Sequence, residues 1–133
     1  MRVEGVSRET SRVIVIIDDD DGVRDSTRVL LEACGYATDG YASANEFLAK
    51  TSGAAGDCLL LDVQMPGMSG IELLEHLRNH GIQTPVVLMT ANIESLGDRA
   101  IRAGAVTVLR KPFAEEAVLK WISLACQRNG LDA

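Results

Sequence analysis

Residues 13–21 read VIVIIDDDD, an uncharged apolar run that ends in four aspartates. A short run without charges indicates a strand that is buried on both faces. Its carboxyl end therefore delivers several carboxylates to one point, where like charges repel unless a proton or a cation is shared. A hard divalent cation with oxygen ligands meets this requirement. The plainer alternative is a solvated acidic turn that caps a helix.

The same arrangement, an apolar run followed by a helical pattern, occurs five times along the chain. The second run is the weakest because Asp39 and Gly40 interrupt it. Alternating strands and helices predict a (βα)5 fold of the α/β class, and right-handed crossovers make it a doubly wound parallel five-stranded sheet. The predicted strands are Val13–Ile17, Tyr36–Tyr41, Cys58–Leu61, Val86–Met89 and Ala105–Leu109.

Helix signals separate these runs. Ser43 and Ser69 are predicted N-caps, and Glu46 three residues after Ser43 completes a capping-box pattern. Asp20 and Asp21 are predicted to cap the first helix rather than to bind metal. Helices four and five are predicted over about residues 93–103 and 113–126.

Length and composition limit the possible classes of protein. The chain has 133 residues, the size of one ordinary domain, with 47% hydrophobic residues and a net charge of −6. No basic face for nucleic acid is evident, and no apolar stretch approaches a membrane span of about 20 residues. The three cysteines, Cys34, Cys58 and Cys126, form no CxxC motif and are predicted to be buried thiols in a reducing cytoplasm.

Residues with reactive or charged side chains follow four of the predicted strands. Asp18 and Asp19 follow the first strand, Asp62 the third, Thr90 the fourth and Lys111 the fifth. Function in open α/β sheets gathers at the carboxyl ends of strands. The sequence therefore predicts that carboxylates, a hydroxyl and an ammonium meet at one edge of the sheet.

These segments resemble the receiver domain of two-component response regulators, from about Arg12 to Cys126. The spacing Asp-Asp-x-x-x-Val-Arg aligns the acidic pair with Asp18 and Asp19. The sequence of residues 65–70 and 103–105 is most similar to that of the FixJ-type branch, whose members usually carry a C-terminal helix-turn-helix domain. The matching segments are Ile17–Asp19, Leu61–Gly70, Met89–Ala91, Ala103–Ala105 and Lys111–Phe113.

The resemblance implies a flavodoxin-like receiver fold with strand order 2-1-3-4-5. Residues 12–127 would form the receiver domain, 1–11 a flexible lead, and 128–133 a tail or the start of a linker. It also implies that a sensor histidine kinase phosphorylates Asp62 and that the protein is cytoplasmic. Lys111 would pair with Asp62 and a phosphoryl oxygen, Thr90 would donate its hydroxyl to the phosphoryl group, and the Lys111–Pro112 bond would be cis.

The resemblance further implies a bound Mg²⁺, with Mn²⁺ as a substitute. Phosphorylation would switch a face of the fourth helix and fifth strand and produce a homodimer, with no contact to nucleic acid by this domain alone and none to a membrane. Val108 occupies the position of the usual switching aromatic residue, which puts in doubt the coupling between Thr90 and an aromatic side chain on the fifth strand. Asn92 occupies a position that tunes dephosphorylation. The implied metal ligands are Asp19, Asp62, the backbone carbonyl of Gln64 and, through water, Asp18.

Three other interpretations of the function are compatible with parts of the sequence. The chain could be a stand-alone receiver in a phosphorelay, or a pseudo-receiver that acts through protein binding alone. A phosphatase of the haloacid-dehalogenase type is disfavoured, because Gln64 stands where its general acid would be. His76 and His80 have the spacing of a zinc pair but no third ligand, and are expected to be solvated.

Overall fold

The computed structural model describes residues 12–128, so the predicted lead of residues 1–11 and residues 129–133 of the predicted tail lie outside the described residues. Five strands alternate with five helices, as predicted. The elements are β1 (Val13–Ile17), α1 (Asp21–Ala33), β2 (Ala37–Tyr41), α2 (Ala44–Thr51), β3 (Cys58–Asp62), α3 (Gly70–Asn79), β4 (Val86–Thr90), α4 (Ile93–Arg102), β5 (Thr107–Arg110) and α5 (Glu115–Arg128).

All four strand pairings are parallel, and the strand order is β2-β1-β3-β4-β5. This confirms the predicted doubly wound sheet of the flavodoxin-like type. Ile17 is in register with Leu61 on β3, so the next residue of each strand segment, Asp18 and Asp62, comes to the same edge. The reversal of strand order between β1 and β3 lies directly beside these two carboxylates, at the topological switch point.

Successive residues of the central strands pack on opposite faces of the sheet, because side chains alternate along a strand. Val15 and Leu61 belong to the core cluster that also contains residues of α2, α3 and α4. Ile16 and Leu60 belong to the second cluster, which contains residues of α1 and α5. Burial on both faces explains why β1, β3 and β4 read as apolar runs without a polar alternation.

Side-chain caps fix the starts of the first and third helices. The Asp20 carboxylate accepts a hydrogen bond of 3.0 Å from the Val23 amide, so its predicted capping role is confirmed. Asp21, also predicted to cap, is instead the first residue of α1, because Asp20 already occupies the capping position. Ser69 and Glu72 form a complete capping box at α3. Both caps lie in the loops that carry the strand-end carboxylates, and they anchor those loops to helices.

Two further local predictions need correction. Ser43 caps α2 through the Glu46 amide, but the Glu46 carboxylate accepts from the Ala42 amide, one residue before the cap, so the box is not reciprocal. Cys34 is exposed, whereas Cys58 and Cys126 are buried as predicted. Cys34 is the residue at the carboxyl end of α1, where the chain turns out towards solvent before β2.

Among residues 12–128, no helix is both long and apolar enough to span a bilayer.

Gly70 allows α3 to begin directly against the end of β3. A Cβ atom at this position would lie 2.3 Å from the Asp62 carbonyl oxygen and 3.0 Å from the Val63 Cα atom. The Gly70 amide donates a 2.9 Å hydrogen bond to the Val63 carbonyl, which holds the two segments together. The backbone of Asp62 and Val63 therefore leaves no room for a side chain at residue 70.

We expect Gly70→Ala to lower the free energy of unfolding by about 1 to 3 kcal/mol, because the new methyl group meets backbone that has nowhere to move. Gly97→Ala is the matched control: the nearest atom to its Cβ is 4.0 Å away, in Ile93 of the same helix. That change should raise stability by up to about 1 kcal/mol, through helix propensity alone. Urea denaturation of both variants measures the contrast, and equal effects would contradict the packing argument.

Candidate functional site

Three carboxylates meet at the carboxyl edge of the sheet, as the sequence predicts. Asp18 follows β1 and is fully buried, Asp62 ends β3 with 4% exposure, and Asp19 is exposed. One oxygen from each of them lies within 4.8 Å of the others. Water reaches the cluster from the side of Asp19, whereas Asp18 and Asp62 have little solvent to disperse their charge.

Lys111 supplies the positive charge that faces these carboxylates. Its Nζ atom lies 2.8 Å from Asp18 Oδ2 and 3.5 Å from Asp62 Oδ2. Lys111 follows β5 and its backbone amide donates to the Thr90 carbonyl, while the Lys111–Pro112 peptide bond is cis. The pairing predicted with Asp62 is therefore present as an ion pair, but the shorter contact, a hydrogen bond, is made with Asp18.

The other oxygens of the two buried carboxylates accept from backbone amides. Asp18 Oδ1 accepts from the Asp20 amide at 2.9 Å, and Asp62 Oδ1 accepts from the Gln64 amide at 3.3 Å. Each side chain is thus oriented by the loop that follows its own strand. The Gln64 side chain is exposed.

Burial raises the pKa of Asp62 to about 6, and the neighbouring charge of Asp18 adds to this effect. Lys111 and the Gln64 amide oppose the rise without cancelling it. For Lys111, burial alone would lower the pKa, but the hydrogen bond to Asp18 and the charges of Asp62 and Asp18 outweigh it and raise the pKa. At Asp62, burial and the charge of Asp18 together therefore outweigh the effect of the one ammonium.

The carboxylate cluster fits a Mg²⁺ ion. Mg²⁺ takes oxygen ligands at about 2.0 to 2.1 Å, so a few carboxylate oxygens within 4.8 Å of each other need only small adjustments to share it. Among residues 12–128, this is the one group of three or more histidine, cysteine or acidic side chains close enough to hold a metal. His76 and His80 stack with ring centroids 4.2 Å apart and belong to no such group.

Thr90 ends β4 and is fully buried. Its Oγ1 atom accepts a 3.1 Å hydrogen bond from the Asn92 amide, and the structure places no hydrogen bond between this hydroxyl and the described carboxylates. Val108 is half-buried on β5, in register with Leu88, and packs against the core cluster that includes α4 residues. No aromatic ring therefore stands at residue 108 to follow a movement of Thr90.

The sequence prediction assigned no role to Arg24. Its Nη1 atom donates a 2.7 Å hydrogen bond to the Asp18 backbone carbonyl, directly behind the site. The signal was present in the Asp-Asp-x-x-x-Val-Arg spacing, which ends at this residue.

Taken together, these features define a doubly wound α/β domain with a buried acidic pocket at its switch point. The sequence pattern of the response regulator receiver domain matches residues 14–123. The chain belongs to the response regulator receiver domain family.

Individual relatives agree with this assignment. The chain is 36% identical over 118 residues to the response regulator protein TodT of Pseudomonas putida, covering 88% of this chain and 52% of TodT. It is 37% identical over 115 residues to the transcriptional regulatory protein FixJ of Azorhizobium caulinodans, covering 86% and 54%. The crystal structure of FixJ-N superposes with a TM-score of 0.80 at 31% identity, covering 88% of this chain and 94% of that one. The chain spans about half the length of these curated relatives.

Without metal, we expect the contribution of protonated Asp62 to stability to be lost as the pH rises from about 4 to about 6. The pKa of Asp62 is about 6 in the folded state, against 3.8 ordinarily, so the folded state holds this proton over a range where the unfolded chain has lost it. Asp62→Asn removes this contribution and should raise the free energy of unfolding at pH 7.5 by about 1 to 2 kcal/mol.

The measurement is urea denaturation in EDTA at several pH values, with Asp25→Asn as the control. Asp25 is an exposed residue of α1, and its replacement removes the same charge from the chain without touching the pocket. The expectation is wrong if Asp62→Asn is no more stable than the unsubstituted chain at pH 7.5.

Proposed function

We propose that this domain accepts a phosphoryl group on Asp62 from a phosphohistidine of a sensor histidine kinase, in a reaction that requires Mg²⁺. The observation that carries the proposal is the placement of the Lys111 ammonium, 2.8 Å from Asp18 and 3.5 Å from Asp62, with Asp19 in the same cluster. Membership of the receiver family supports it. The domain assists its own phosphorylation and dephosphorylation and is a switch rather than a conventional enzyme.

Asp62 is the nucleophile of the proposed reaction. With a pKa of about 6 it is mostly ionised at neutral pH and can attack the phosphorus atom. A bond forms between a carboxylate oxygen and phosphorus, the phosphorus–nitrogen bond of the donor breaks, and the released electron pair goes to the imidazole, which takes up a proton from solvent. Such transfer depends mainly on positioning and charge neutralisation.

Lys111 and Thr90 hold the transferred group. A phosphoryl oxygen on Asp62 takes over the contact that the Lys111 ammonium now makes with the Asp62 carboxylate. The Thr90 hydroxyl, whose oxygen accepts from the Asn92 amide, donates its proton to another phosphoryl oxygen. The buried position of Thr90 at the end of β4 supports this role, since a small shift of this residue alters the core beside α4.

The proposed metal ligands are Asp19, Asp62 and the Gln64 backbone carbonyl, with Asp18 bound through water. When bound, Mg²⁺, or Mn²⁺ in its place, supplies the charge that lets an aspartyl phosphate form among carboxylates. The hydrogen bonds from Lys111 and the Asp20 amide keep Asp18 turned towards the pocket.

The proposed output is a homodimer or partner face made by α4 and β5. Arg110 on β5 pairs with Glu94 on α4, which ties the two elements together, and Ile101 on α4 is 54% exposed. FixJ is named a transcriptional regulatory protein, and by analogy the switch would control transcription through a C-terminal DNA-binding domain that follows a receiver of residues 12–127. Val108 leaves no aromatic side chain at that position, and the proposed alternative route for the signal is Thr90 and the packing of α4.

Asp62→Asn is expected to abolish phosphorylation by acetyl phosphate and Mg²⁺, because an amide oxygen is too poor a nucleophile to replace the carboxylate. Intact-mass spectrometry measures the added phosphoryl group, and Asp25→Asn serves as the control that keeps the pocket. Phosphorylation of the Asp62→Asn protein at the level of the unsubstituted chain would show that another residue is the acceptor.

Lys111→Ala is expected to leave the fold intact but to uncouple phosphorylation from dimerisation, because the ammonium contacts Asp18 and Asp62 in the pocket while its residue directly follows β5. Size-exclusion chromatography with light scattering, with beryllofluoride and Mg²⁺, should give a mass about twice that of the monomer for the unsubstituted chain only. Lys50→Ala, at an exposed ion pair on α2, is the control and should dimerise normally. Dimerisation of Lys111→Ala would overturn this role, and no change for the unsubstituted chain would favour a module that acts by binding alone.

A further inference from the structure

Arg24 on α1 connects the helix to the loop that carries the acidic residues. Its Nη1 atom donates to the Asp18 backbone carbonyl at 2.7 Å, and its Nη2 atom pairs with the Asp21 carboxylate. The Arg24 side chain is only 16% exposed. Asp21 is the first residue of α1, so this pair lies within the helix and leaves the other arm of the rigid, planar guanidinium directed at the Asp18 carbonyl, which is the contact that ties the loop to the helix.

Gly40 on β2 provides the space for this arginine. A Cβ atom at residue 40 would lie 3.2 Å from Arg24 Cδ and 3.3 Å from Arg28 Cδ. No positive φ angle requires a glycine at this place in the strand, since Gly40 is not among the residues with φ above zero. The glycine in the run that makes β2 the weakest strand in the sequence is thus explained by the two arginine stems that lie across it.

Asp18 is held on every side by these contacts. Its amide donates to the Tyr41 carbonyl on β2 at 3.1 Å, and its carbonyl accepts from Arg24. Its two carboxylate oxygens accept from the Asp20 amide and from Lys111. Without Arg24, the Asp18 carbonyl loses its hydrogen bond to α1, and the start of the acidic loop is no longer held to that helix by this side chain.

We propose that Arg24 is a positioning residue that holds the backbone of Asp18 and Asp19 in the geometry that binds Mg²⁺, with Gly40 as the residue that makes room for it. The inference rests on the proposed function, since it assigns a support to that same metal site. Arg24 touches neither the metal nor the phosphoryl group, and acts through the Asp18 carbonyl. Residues behind metal ligands commonly change metal affinity about 10- to 100-fold when they are replaced.

Arg28 offers a matched comparison on the same helix. Its stem also lies over Gly40, but its Nε atom donates to Thr38 Oγ1 at 3.0 Å, away from the acidic loop. Replacement by lysine keeps the charge in both cases. The pair therefore separates the hydrogen bond to Asp18 from the effects of charge and of packing against β2.

The test is isothermal titration of the full chain with MgCl₂ at about 0.15 M KCl, where exposed charges are screened. Arg24→Lys is expected to weaken Mg²⁺ binding about 10-fold, because lysine cannot donate to the Asp18 carbonyl and Asp21 together, and Arg28→Lys to change it less than about twofold. Gly40→Val, which crowds the Arg24 stem, should also weaken binding. Urea denaturation in EDTA checks that each variant remains folded.

Unchanged Mg²⁺ affinity in Arg24→Lys would overturn the inference while leaving the proposed function intact, and so would equal losses in Arg24→Lys and Arg28→Lys. A loss of stability in EDTA without a loss of Mg²⁺ affinity would reduce Arg24 to a structural role and also overturn it. If the unsubstituted chain itself binds no Mg²⁺, the proposed function and this inference fail together.

Discussion

The repulsion between two buried carboxylates, Asp18 and Asp62, is the constraint on which the rest of the pocket depends. Their side chains end adjacent strands, have almost no access to water, and share a single ammonium from Lys111. Burial, together with the charge of Asp18, still raises the pKa of Asp62 to about 6 in spite of that ammonium. A pocket with unbalanced negative charge favours the arrival of a divalent cation, and the cation in turn allows a further anionic group to be accepted. The electrostatic strain of the metal-free state thus agrees with the proposed phosphoryl chemistry.

The topology of the sheet produces this pocket with few residues. Parallel strands bring their carboxyl ends to one edge, and the reversal of order between β1 and β3 leaves that edge open between the helices of the two faces. The loops that follow the strands then fix each functional side chain. Asp20 caps α1, the Ser69–Glu72 box caps α3, and Gly70 lets α3 start against the Asp62 peptide. Local sequence signals of this kind turn a general fold into a defined site.

Much of this arrangement could be predicted from the sequence, because it depends on periodicity and on strand ends. Uncharged runs identified the buried strands, and the residues that follow four of these runs included Asp18, Asp62, Thr90 and Lys111. What the sequence could not provide is which atoms meet across the edge. The closer contact of Lys111 with Asp18 than with Asp62 depends on strand spacing and side-chain rotamers, which no spacing rule contains. The role of Gly40 could not be predicted for a related reason. The space left by its missing side chain is filled by Arg24 and Arg28, which belong to another element.

The central claim is that the pocket makes Asp62, and no other of its carboxylates, the phosphoacceptor. The most direct measurement is to incubate the chain with acetyl phosphate and Mg²⁺, trap the acyl phosphate with borohydride, and locate the resulting homoserine by tandem mass spectrometry of peptides. We expect conversion at Asp62 alone, and none when EDTA replaces Mg²⁺. Conversion at Asp18 or Asp19, or a yield at Asp62 that does not depend on the metal, would contradict it.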